Sequence, residues 1–158
     1  MVDAALTRKE KRTNKTRTNN YLLKEVCKAE SKFKKKGIQV THGRIIAEQT
    51  FGFWISFFDL VHYSILSGSP IKMFNNLPPS YGRKKIYDHL KAIRDFRNRI
   101  NHNEPICFVD NEMDFSYAES IRQSILDLLS WIDPKLVASL EEFDNILTGI
   151  NKERERQK

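Results

Sequence analysis

From Tyr21 to Ile150 the large apolar residues return every third or fourth position, and they do not alternate with polar ones as a half-buried strand requires. Leu22, Val26, Ala29 and Phe33 follow one another at spacings of four, three and four. Ile86, Leu90, Ile93 and Ile100 share a second helical face, and Ala118, Ile121, Ile125 and Leu128 a third. Stripes of this period are buried by packing helix on helix. No strand pattern and no internal repeat stands out. The pattern predicts an all-α fold, a helical bundle of about five helices.

Capping and breaking residues mark the ends. A first helix runs from Tyr21 to Lys36, with Lys34, Lys35 and Lys36 in the last turn, where cations suit the dipole, and Gly37 as the stop. Thr41 is the N-cap of a second, which reaches about Leu66 and ends at Ser67-Gly68-Ser69-Pro70. It is apolar on almost every side, from Ile45 through Phe53-Trp54 to Val61, as a central or subunit-shared helix would be. Gly52 inside it costs about 1 kcal/mol against Ala, which a close helix–helix approach would explain. Residues 71–82 connect to a third helix, Arg83 to Asn101. Pro105 turns the chain out of helix, and residues 103–113 read as loop. Asp114 caps a fourth helix, to Ile132. Asp133-Pro134 opens the last, which carries Leu136, Leu140, Phe143, Leu147 and Ile150 before a charged tail, 151–158.

The length of 158 residues favours one domain, drawn over 21–150, and ten Phe, two Trp and five Tyr supply a core. Net charge is +7, but residues 1–36 alone hold twelve Lys/Arg against four Asp/Glu, which leaves the remainder near −1. Residues 1–20 read as a mobile basic segment. The basic stretch 1–36 is either a solvated arm and a solvated helix face or an attractor of nucleic acid by counterion release. Cys27 and Cys107 match no metal spacing and read as free thiols of a reducing compartment. The first residues have no apolar signal region, and the longest apolar run, 51–58, is far short of the roughly 18 residues a membrane span needs. The expected location is the cytoplasm.

Chemistry concentrates at the end of the third helix, in Arg97-Asn98-Arg99-Ile100-Asn101-His102. Arg97 falls within the apolar stripe, between Ile93 and Ile100. A guanidinium there either pairs with a carboxylate of another helix, such as Asp59 or Glu48, or waits in a cleft for a phosphate. His102 either caps the helix C-terminus or moves protons, since imidazole titrates near neutrality. Five residues turn an ideal helix by about 140°, so Arg97 and His102 do not share a face, whereas Asn98 and His102 do. A joint site needs the helix end to deform, or a second copy of the motif across a dimer. His42, His62 and His89 form no metal pattern, no acidic cluster suggests metal-dependent cleavage, and no glycine-rich phosphate loop or serine elbow is present.

The ten residues from Arg97 to Ile106, RNRINHNEPI, resemble the R-N-R-[IV]-x-H-x-E-P-[IV] signature of Abi-like abortive-infection proteins. These belong to the HEPN superfamily, marked by an Arg and a His four to six residues apart, with a polar residue often following the Arg. Here four residues intervene and the polar residue is Asn98. The aromatic Phe53-Trp54 helix upstream is also similar, and the resemblance covers about 41–108. It implies an α-helical bundle that dimerises, two Arg–His motifs in one cleft, and metal-independent endoribonuclease activity of abortive-infection or toxin type, with no cofactor. In that chemistry the RNA 2′-OH attacks the adjacent phosphate, His102 moves protons, Arg97 stabilises phosphoryl charge and Asn98 orients His102 or the phosphate. Arg94 and Arg99 are weaker candidates for RNA backbone contacts. An antitoxin is a further partner the toxin type admits. The rival expectation is a non-catalytic helical dimer that binds RNA or a partner protein.

Overall fold

The computed structural model describes residues 6–9 and 16–156. The fold is all-α, with eight α-helices among these residues. By its contacts the chain divides into two compact units, Met1–Pro70 and Ile71–Lys158.

The first unit begins with a short antiparallel pair, β1 (Leu6–Lys9) on β2 (Thr16–Asn19), in the register Leu6 to Asn19 and Arg8 to Arg17. The expectation of no strand fails here. Thr-rich, β-tolerant residues with little apolar surface carry no periodic signal. The mobile segment expected over 1–20 lies, for residues 1–5 and 10–15, outside the described residues. Helix α1 (Tyr21–Lys35) follows the sequence reading. Its Schellman end has Gly37 at φ 65°, with the Ile38 and Gly37 amides donating to the Phe33 and Lys34 carbonyls.

The single helix expected over 41–66 is instead three: α2 (His42–Glu48), α3 (Phe51–Ser56) and α4 (Leu60–Ile65). Thr41, Thr50 and Asp59 each lie in extended backbone, and their side chains accept from the amides of Arg44, Phe53 and His62. Each therefore starts a helix, because short oxygen-bearing side chains satisfy first-turn amides better than they serve a helix interior. The breaks let an all-round apolar sequence fold on itself. Phe53, Trp54 and Phe57 stack edge to face at 5.3–5.7 Å, and Phe53, Ile55 and Phe58 are buried. His62 is buried beside the carboxylate of Asp59. A Cβ on Gly52 would lie 3.6 Å from the Tyr21 hydroxyl, an ordinary contact, so close approach does not dictate the glycine.

The second unit holds α5 (Arg83–Asn101), α6 (Ser116–Ile132), α7 (Pro134–Glu141) and α8 (Ile146–Arg156). Helices α5 and α6 run antiparallel. His89 meets Trp131 at 5.3 Å, and Phe96 meets Tyr117 at 5.4 Å. Ile86, Ile121, Leu128 and Trp131 fill the space between them. The Asn76 amide reaches the Trp131 carbonyl at 2.8 Å and fixes the incoming connection to the end of α6.

The expected loop 103–113 contains a hairpin, β3 (Phe108–Val109) on β4 (Glu112–Met113). Its turn residues Asp110 and Asn111 have φ of 50° and 66°, the two positive values a type I′ turn demands. Asp114 accepts from the Ser116 amide at 2.7 Å, close to its expected capping role. The expected last helix is divided at Asp144, which turns the chain from α7 into α8. The charged residues expected as a tail continue α8 as far as Arg156. Arg154 anchors them with a two-pronged bond to Glu119, at 2.8 and 3.0 Å.

Candidate functional site at the end of α5

The stripe of α5 is buried at one end and open at the other. Ile86 is fully buried, Leu90 and Ile93 are half-buried, and Arg97 and Ile100 are exposed. Arg97 is not a charge forced into a core, because the last turns of the stripe line an open groove. That groove, of about 570 Å³, runs between α5, α6 and α8. Phe96, Ile100, Ile121, Ile125, Ile146 and Ile150 supply its apolar walls.

The carboxylates proposed as Arg97's partners belong to the first unit, where Asp59 pairs with His62 and Glu48 with Lys32. Among the described residues Arg97 makes no ion pair. The other guanidinium of the groove, Arg122, is matched to Asp144 at 2.6 Å, and Asp144 also accepts from the Ile146 amide at 3.2 Å.

The continuation after Arg97 divides into residues that build the helix end and residues that do not. The helix stays regular to Asn101, and His102 is its C-cap at φ −95° and ψ 10°. Asn103 takes the left-handed conformation at φ 54°, its amide donating to the Ile100 carbonyl. The Glu104 amide donates to the Arg99 carbonyl at 2.9 Å, which completes a Schellman motif, and Pro105 follows where helix must stop. The Arg99 side chain closes the turn. It donates to the Pro105 carbonyl, lies 3.5 Å from the Glu104 carboxylate and sits 5.8 Å from the Tyr117 ring centre. Arg94 donates twice to Asp95, at 2.9 and 3.1 Å. Burial raises the Asp95 carboxyl, but the hydrogen bonds from Lys91 and Arg94 outweigh it and hold it below its ordinary range.

Arg94 and Arg99 are thus occupied within the chain. Arg97, Asn98 and His102 are exposed and hold no side-chain hydrogen bond or ion pair among the described residues. Arg97 lines the groove, while Asn98 and His102 are not among its lining residues. The regular helix end keeps the rotation between Arg97 and His102, so one chain does not bring both to a single face.

Nothing in the sequence signals the groove itself, or Cys107 and Gly149 in its wall. Burial raises the Cys107 thiol above its ordinary value, which makes it a poor nucleophile. Among the described residues no three His, Cys, Asp or Glu side chains converge as metal ligands, and no helix is long and apolar enough to cross a membrane. No family model, no curated protein and no solved structure matches the chain.

Proposed function

We propose that the chain is a metal-independent endoribonuclease of abortive-infection type, acting as a homodimer whose two α5 ends meet in one cleft. The observation that carries this reading is the division of the RNRINHNEPI segment. The side chains of Arg99 and Glu104, the backbone of Asn103 and the ring of Pro105 have structural work in the helix end, whereas the side chains of Arg97, Asn98 and His102 have none and are exposed; His102 serves the helix end through its backbone alone, as the C-cap. Long polar side chains left unengaged beside a helix terminus are available to a substrate. In the proposed reaction the RNA 2′-OH attacks the neighbouring phosphorus, the 5′-oxygen leaves, and a 2′,3′-cyclic phosphate and a 5′-OH remain. His102 moves the protons and Arg97 meets the charge growing on the phosphoryl oxygens. Asn98, one helical turn before His102, orients it or the phosphate. The rotation between Arg97 and His102 is the reason for the second copy, since each chain then lends one residue to its partner's motif. Arg94 and Arg99 are the weaker candidates for RNA backbone contacts, each already in a partly exposed ion pair that a phosphate would have to displace.

The test is cleavage of mixed RNA in EDTA by wild type, Arg97→Ala and His102→Ala at matched oligomeric state. The expected result is cyclic-phosphate ends from wild type and a loss of about 10²–10⁴ in rate for His102→Ala. Equal cleavage by all three would assign the activity to a contaminant. The apolar groove favours a second reading, a helical binding module, and absence of cleavage together with Arg97-dependent RNA retention would select it.

A further inference from the structure

The groove between α5, α6 and α8 has three properties that together describe an occupant. Its walls are aliphatic and aromatic, and its volume of about 570 Å³ falls within the range of small-ligand sites. It has two cations, of which Arg122 is neutralised by Asp144 and only Arg97 lacks a carboxylate among the described residues. Gly149 lies in its wall, inside α8, where a Cβ would meet nothing within 4 Å. A glycine within a helix costs about 1 kcal/mol against Ala. Neither a positive φ nor a packing neighbour explains this one. A bare backbone beside an apolar channel does leave room for something to lie against it.

We propose that this groove binds a long-chain aliphatic carboxylate, with its tail along the apolar walls past Gly149 and its head on the Arg97 guanidinium. One planar fork of donors matches one carboxylate. A phosphate monoester, with nearly twice the charge, would call for a second free cation, which the groove lacks. Such binding would compete with RNA phosphate for Arg97, but it rests on the groove alone and not on RNA cleavage.

The experiment titrates the full chain, without RNA, with the fluorescent fatty acid cis-parinarate, and displaces it with saturated C8, C10 and C12 carboxylates below their micellar concentrations. The expected result is saturable binding of one equivalent per chain, tightening about fourfold per added methylene. Arg97→Gln should weaken binding by about tenfold or more, as loss of charge-assisted bonds does. Gly149→Leu fills the channel and should abolish binding while keeping the helical circular dichroism and the urea midpoint. Three results would overturn the proposal: no saturable binding by wild type, unchanged binding by folded Gly149→Leu, or equal affinity for the C12 alcohol and the C12 carboxylate. A wild-type dimer that C12 leaves intact and Gly149→Leu dissociates would also overturn it, because the occupant would then be a second copy of the chain.

Discussion

Asn103 shows how much of a ten-residue segment is structural. It sits at φ 54°, where a residue with a short polar side chain is tolerated and a β-branched one is strained. Asn103→Val should destabilise the chain by about 1–2 kcal/mol and Asn103→Gly should not, read as the shift of the urea midpoint at constant slope. The same logic separates Arg99 from Arg97. Both are arginines of one helix, two positions apart, and the sequence made both candidates for function. Arg99 is turned back onto Glu104 and Pro105, and Arg97 is turned to the groove. Helical phase placed Arg97 on the apolar face. It did not say that the face would be uncovered there, because cover depends on where α6 and α8 end.

Local capping competes with apolar continuity at the scale of the element. The run from Ile45 to Val61 reads as one helix if only apolar residues are counted. Thr50 and Asp59 interrupt it because each satisfies an amide of the following turn. This gives a test by sign. In a continuous helix Thr50→Ala would stabilise, since Ala is the better interior residue. As an N-cap it should destabilise by about 1 kcal/mol, measured by urea unfolding. Asp144 is a second junction of this kind, joined both to Arg122 and to the first turn of α8. Asp144→Ala should cost about 1–3 kcal/mol, because it also leaves a half-buried guanidinium unpaired. Both junctions were legible as single residues with capping chemistry. The period of the flanking apolar residues hid them, and the Asp110-Asn111 hairpin lay in a segment too short for any period.

Over the whole molecule, the pH dependence of stability near neutrality runs in part through His89. Its two ring nitrogens are buried with no hydrogen-bond partner, and the ring lies edge-on to Trp131. Burial, and then the charge of Lys85, lower its pKa from the ordinary 6.5, with Asp127 and Asp88 opposing in part. The unfolded chain therefore takes up this proton at a higher pH than the folded one. The His89 contribution to stability is complete above about pH 6.5 and is lost as pH falls towards the lower folded value. Denaturation midpoints should drop between neutral and mildly acidic pH, and His89→Gln should flatten that drop. What the sequence by itself determined was the helical class, the position of five helical stretches and the Arg97–His102 segment at the end of one of them. All are local, fixed by period, caps and breakers. What only the tertiary structure decided was which stretches are subdivided, which arginine is engaged, and that the last turns of α5 border an open groove. Those depend on which surfaces meet across long sequence separations, and a residue's spacing to its neighbours does not encode that.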